Sequence, residues 1–168
     1  DFNNITEPYF HKKNYRYSNY SNEDLKKSHS LGFSVKAKIL EKEGNIYYKI
    51  YFCNNGEQVV RLYSSLFEYH RMFRSYVKIA LNDRLLRDKL PLSIHEDEEN
   101  EESFIFVGIN KCQEKIYNIT QIFGLYKVKG SYSAIYRQRV FVNYISKQGK
   151  KQPESFPVQS SISKLVVN

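Results

Sequence analysis

The chain has 168 residues, with 26 Lys and Arg against 18 Asp and Glu, a formal net charge of +8. This length suits a single domain, and 41 % apolar content supplies a core without disulfide staples. No run reaches the roughly 18–20 apolar residues that a membrane span needs, and residues 1–13 lack the charged-then-apolar order of a signal peptide.

A soluble intracellular protein with no membrane partner is therefore expected. Six acids crowd into Glu96, Asp97, Glu98, Glu99, Glu101 and Glu102, so the rest of the chain carries 26 basic against 12 acidic side chains. That surplus points to a polyanionic partner. Cys53 and Cys112 stand alone, in neither a CxxC pair nor a metal-ligand spacing, and are expected to be reduced and buried. The sequons at Asn4, Asn19 and Asn118 are then unused.

In chain order, residues 1–30 form a polar, tyrosine-rich arm, with Phe2, Ile5, Tyr9 and Phe10 as possible anchors on the domain. From Leu31 the pattern becomes strand. Phe33, Val35, Ala37 and Ile39 alternate with Ser34, Lys36, Lys38 and Leu40. Gly44-Asn45 supplies a turn, and Ile46, Tyr48, Ile50 and Phe52 alternate with Tyr47, Lys49, Tyr51 and Cys53. Asn54-Asn55-Gly56 reads as a second hairpin turn and residues 58–63 as a third strand, completing an antiparallel meander.

Ser65 with Glu68 at capping-box spacing opens a helix marked by Leu66, Tyr69 or His70, Phe73, Val77 and Leu81. Val77, Ile79 and Leu81 also alternate, so a short strand stays open there. The acidic run after Pro91 is an exposed loop; Phe104 and Phe106 then mark a strand, and residues 119–129 and 131–145 two more. Residues 146–157 have linker composition. Val158, Ile162, Leu165 and Val166 have the spacing of an amphipathic helix cut off at Asn168.

Meander, helical connection, further strands and a terminal helix is the element order of an OB-fold, the five-stranded Greek-key barrel that binds oligonucleotides. The expected organisation is an N-terminal arm at 1–30, the barrel at 31–147 with an extended insertion before its fourth strand, and a linker with the start of a C-terminal helix at 148–168. With Ile46, Tyr48, Ile50 and Phe52 inward, Tyr47, Lys49 and Tyr51 point out together, joined from the next strand by Arg61 and Tyr63. Tyr136, Arg137 and Arg139 form the other wall. Rings that stack bases beside cations that track phosphates are what single-stranded nucleic acid requires.

No catalytic set is legible. His11, His29, His70 and His95 lie far apart, there is no P-loop, dinucleotide-binding glycine signature or GxSxG, and the acidic run lacks the spacing of a calcium loop. A non-enzymatic protein with no cofactor or metal is expected.

Specific residues carry a resemblance. His29-Ser30-Leu31, the strand to Glu43, residues 46–52, and Asn54-Asn55-Gly56 before Val59-Val60-Arg61 resemble the barrel opening of the middle subunit of replication protein A and its telomeric counterpart. Residues 125–130 leading into Tyr136-Arg137-Gln138-Arg139 look like that family's fourth strand, loop and fifth strand, and Glu7-Pro8-Tyr9-Phe10 like the entry of the Stn-subunit family of the telomeric CST complex. The resemblance implies an OB-fold subunit in the nucleus, at the telomeric region of chromosomes. Its partners would be a small Ten-type OB-fold subunit, a large CST-type subunit, telomeric single-stranded DNA, polymerase alpha-primase and telomerase. Val158, Ile162, Leu165 and Val166 would dock on the small partner. The alternative is a protein-interaction barrel of another replication or repair complex without direct DNA binding.

Overall fold

A computed structural model describes residues 22–64, 68, 72–89, 104–145 and 148–168; the anchors Phe2, Ile5, Tyr9 and Phe10, His11, His70, His95 and the acidic run lie outside them. The elements are α1 (Asn22–Ser30), β1 (Phe33–Lys42), β2 (Asn45–Asn54), β3 (Val60–Tyr63), a π-helical turn (Met72–Tyr76), β4 (Val77–Leu81), β5 (Arg84–Leu85), β6 (Phe104–Val107), β7 (Lys111–Asn118), α2 (Thr120–Phe123), β8 (Gly130–Ile145), β9 (Lys151–Gln159) and β10 (Ser163–Val167). The architecture is mostly antiparallel β, curled into a half-barrel.

The predicted alternation of β1 and β2 holds. Ile46, Tyr48, Ile50 and Phe52 are buried, and the β1–β2 hairpin closes through positive φ at both Glu43 (53°) and Gly44 (79°), the geometry that matches strand twist. Asn82 (47°) and Asp83 (62°) repeat the device between β4 and β5. Phe52 packs on Phe33 and Tyr136, and Phe73 meets Tyr48, Tyr117 and Phe123 edge to face, so one aromatic-rich core links both sheets.

The expected meander does not form. β2 pairs with β7, while β3 pairs with β6 and β8 in the second sheet. Asn54-Asn55-Gly56 is therefore a corner between sheets. The fully buried Asn54 side chain fixes it: Nδ2 donates to the carbonyls of Gln58 (2.6 Å) and Val107 (3.0 Å), and Oδ1 accepts from Gly56 N–H (3.0 Å). Such bonds satisfy the amide and leave the chain one exit direction.

Four further expectations are corrected. Met72 N–H still donates to the Glu68 carbonyl at helical spacing, but residues 77–81 are strand, so the period-two reading of Val77, Ile79 and Leu81 prevails. Residues 119–129 are not a strand. Asn118 Oδ1 accepts from Thr120 N–H, one helical turn follows, and Gly124 in the left-handed region ends it as Leu125 N–H reaches the Thr120 carbonyl (2.7 Å).

The C-terminal linker and helix are replaced by β9 and β10, both paired with β8. Phe156 and Val158 fill the core, and the even separation of Pro153 and Pro157 puts both missing N–H groups on the edge away from the β8 ladder. Residues 151–159 and 163–167 thus belong to the β8 sheet rather than to a tether.

Finally, Cys53 and Cys112 are neither reduced nor buried. They stand opposite one another on β2 and β7 and form a disulfide. Direct cross-strand pairing brings the two backbones close, with Cα atoms 4.0 Å apart.

The bridge closes a loop spanning 59 positions, for which chain entropy implies about 4 kcal/mol of stabilisation. The double variant Cys53→Ser, Cys112→Ser is expected to lose about 2–4 kcal/mol in denaturant unfolding, whereas an unchanged midpoint would mean that the strands hold without it. A second test concerns pH. Burial holds the Tyr117 phenol well above its ordinary value, so the folded chain retains a proton that the unfolded chain releases near about pH 10. That contribution is intact below about pH 10 and falls as pH rises past it. Tyr117→Phe should flatten the alkaline limb of the stability curve, with Tyr132, which burial and the Glu41 carboxylate also raise, as a further contributor to it; identical limbs would exclude Tyr117 as a source.

Candidate nucleic-acid interface

Register decides which side chains share a surface. In the β1–β2–β7 sheet, Lys36 stands opposite Tyr51 and Tyr51 opposite Glu114; Lys38 faces Lys49, and Lys49 faces Ile116; Leu40 faces Tyr47, and Tyr47 faces Asn118. Paired residues project to the same side. One outer face therefore carries Lys36, Lys38, Lys42 and Lys49 with Tyr47 and Tyr51, and among the described residues of these three strands Glu114 is the carboxylate that shares it.

Lys49 is the hub of this face. Its Nζ lies 5.1 Å from the centre of the Tyr51 ring and 3.5 Å from Glu114 Oε1. The Tyr51 side chain first, and the Glu114 charge after partial desolvation is overcome, hold its ammonium above the ordinary lysine value. Lys38 sits directly across from it. Like charges in that relation repel, and an anion laid across the two strands relieves the repulsion.

Three of the eight predicted nucleic-acid residues, Tyr47, Lys49 and Tyr51, are thus together, and the other five are not with them. Arg61 and Tyr63 lie on the outer side of the other sheet because β3 crosses over. Arg61 is 7 % exposed, with its guanidinium 4.8 Å from the Phe104 ring centre, and Tyr63 stacks on Phe104 and accepts a hydrogen bond from Asn143 Nδ2. Tyr136 is a core residue, fully buried against Phe52. Arg137 is 4 % exposed, and only Arg139 is open, donating from Nε to Ser155 Oγ. The two walls foreseen from sequence do not form one groove.

The predicted partner-docking set also divides. Val158 is core, Ile162 packs beside Ala80 and Ile135, Leu165 lies against the main core, and Val166 is 63 % exposed. Conversely, Lys36 and Lys38 belong to the face and were legible as the outward members of the β1 alternation. Ile116, 54 % exposed beside Lys49, had no such signal, since its strand was not foreseen.

No family model and no curated protein matches the chain. Among solved structures, the X-ray structure of Northeast Structural Genomics Consortium target SoR45 aligns over 77 % of this chain and 84 % of that one, at 14 % identity and a TM-score of 0.28. A score that low leaves fold and function to be read from the chain's own geometry. Among the described residues there is no His, Cys, Asp and Glu cluster able to hold a metal, and no helix long and apolar enough to cross a membrane.

Tyr51→Phe is expected to lower the Lys49 pKa toward the ordinary lysine value, and Glu114→Gln to lower it by a smaller step. Side-chain NMR titration reads both; an unmoved midpoint in the two variants would exclude the pairing.

Proposed function

We propose that this chain is a non-enzymatic binding module of OB type whose β1–β2–β7 face holds an extended polyanion, single-stranded nucleic acid being the class that suits it best. The observation that carries the reading is the Lys38–Lys49 cross-strand pair flanked by Tyr47 and Tyr51. Along β2, Tyr47, Lys49 and Tyr51 alternate ring and cation every two residues, about 6.8 Å, and the β1 lysines lie about 4.8 Å to the side, a spacing a flexible single strand can follow. The rings supply stacking and the lysines supply phosphate neutralisation. Within this reading the Stn-type resemblance suggests a telomeric complex with a small Ten-type and a large CST-type subunit, acting in the nucleus on the single strand and in C-strand synthesis. That assignment rests on short sequence motifs; the pairing of β2 with β7 and the Cys53–Cys112 bridge lend it no support.

The bridge instead favours a second reading, a protein-interaction barrel of an oxidising compartment, since disulfides persist there and are rare in the nucleus. The exposed Phe106 and Ile116 suit that alternative.

Fluorescence anisotropy with a short oligo-dT strand across a salt series separates the two. Neutralising three or four phosphates implies a slope of about −2 to −3 in log affinity against log salt. Lys38→Ala should reduce that slope by about 0.7, and Tyr51→Ala should cost about 1–3 kcal/mol of affinity. Absence of binding, or binding indifferent to salt and to both substitutions, favours the protein-interaction reading.

A further inference from the structure

The β1–β2–β7 sheet ends on β7, and among the described residues no strand pairs with its far edge. The phase of the ladder decides which groups that edge presents. Ile119 N–H donates to the Ile46 carbonyl (2.9 Å), and the β2–β7 register carries this pairing back along the strand. Opposed residues of an antiparallel pair alternate between bonded and non-bonded, so Gln113, Lys115 and Tyr117 commit their backbone groups to β2. The N–H and carbonyl groups of Glu114, Ile116 and Asn118 point the other way, toward the edge.

The edge is held in place before any partner arrives. The Cys53–Cys112 bridge ties one end of β7 to β2, and the bond from Ile119 to Ile46 ties the other. A lysine or proline at the middle of such an edge deters further pairing. Ile116 stands there instead, 54 % exposed, with Glu114 and Asn118 exposed on either side of it.

The side chains select the occupant. When two copies of β7 lie antiparallel, edge to edge, a register centred on Glu114 sets that carboxylate opposite its own counterpart, and one centred on Lys115 does the same with two ammonium groups. Like charges directly opposite are destabilising. The register centred on Ile116 avoids both: Ile116 meets Ile116 of the second copy, Glu114 meets its Asn118, and Lys115 meets its Tyr117. This strand is therefore complementary to itself. The two-fold axis of such a pair stands perpendicular to the sheet, so two three-stranded sheets become one and both outer faces look the same way. Lys49 and its counterpart are then three strand spacings apart, about 14 Å, beyond the screening length of about 8 Å at physiological salt. The basic faces do not oppose the pairing.

We propose that β7 pairs with β7 of a second copy of this chain, antiparallel and centred on Ile116, to form a symmetric dimer. The pairing draws on the edge alone and is independent of the polyanion reading. The test is sedimentation equilibrium of the 168-residue chain, disulfide intact and without nucleic acid, from micromolar to submillimolar concentration. The mass is expected to rise from one chain toward two. Ile116→Lys, at an exposed position, sets two ammonium groups opposite each other and should weaken association about tenfold or more. Ile116→Pro removes an N–H that β2 does not use and should abolish it. In the unaltered chain, amide hydrogen exchange at Glu114 and Ile116 should slow severalfold as concentration rises while Gln113 and Lys115 stay constant, which keeps the test decisive should either variant not fold. The proposal is overturned by the mass of one chain throughout, by association indifferent to both substitutions, or by exchange at Glu114 and Ile116 that does not depend on concentration.

Discussion

The fold hangs on one strand. β8 runs for sixteen residues and hydrogen-bonds to four others, β4 and β10 along its first half and β3 and β9 along its second. Every residue from Tyr132 to Gln138 is buried, so both faces of that half are covered. A strand so placed must satisfy its backbone groups within the protein, because water cannot reach them. This explains why the C-terminal segment is strand: β9 and β10 supply the partners that a tethered helix would have left missing. It also explains Ser160, whose hydroxyl takes the Tyr136 N–H and whose own N–H reaches the Tyr136 carbonyl.

The smaller sheet is attached to this framework through the shared aromatic core and through Ile39 N–H donating to Ser163 Oγ, and among the described residues no element packs on its outer side. With Ile46, Tyr48, Ile50 and Phe52 committed inward, the outward row has no packing duty, and lysines and tyrosines occupy it. Charge and core are therefore separated by the period of the strand alone. A cavity of about 500 Å³ beside the β2–β3 corner also depends on β8, which contributes Val142 to its apolar floor.

Much of the first half was legible in sequence because its determinants are local. Alternation fixed the faces of β1 and β2, and Phe104 and Phe106 marked β6. Failures arose where two periods fit one short segment. Val158, Ile162, Leu165 and Val166 satisfy a helical stripe, yet Ser163, Leu165 and Val167 also form the half-buried row of a strand, and only the open ladder of β8 chooses between them. Residues 119–129 failed for a different reason: Gly124, which stops the turn of α2, lies within the segment expected as strand, and Asn118, whose side chain starts the turn, stands just before it.

By itself the sequence determined the segregation of acids into one run, the two-faced character of β1 and β2, and the outward trio of Tyr47, Lys49 and Tyr51, all of which follow from composition and nearest-neighbour geometry. Tertiary structure alone decided that β7 rather than β3 lies beside β2. That choice joins segments about sixty positions apart, brings Cys53 opposite Cys112, carries Arg61 and Tyr63 to the other sheet, and leaves Lys36 and Lys38 as the lysines that complete the face. Strand pairing is a long-range competition for backbone hydrogen bonds and core volume, and local pattern does not encode its winner.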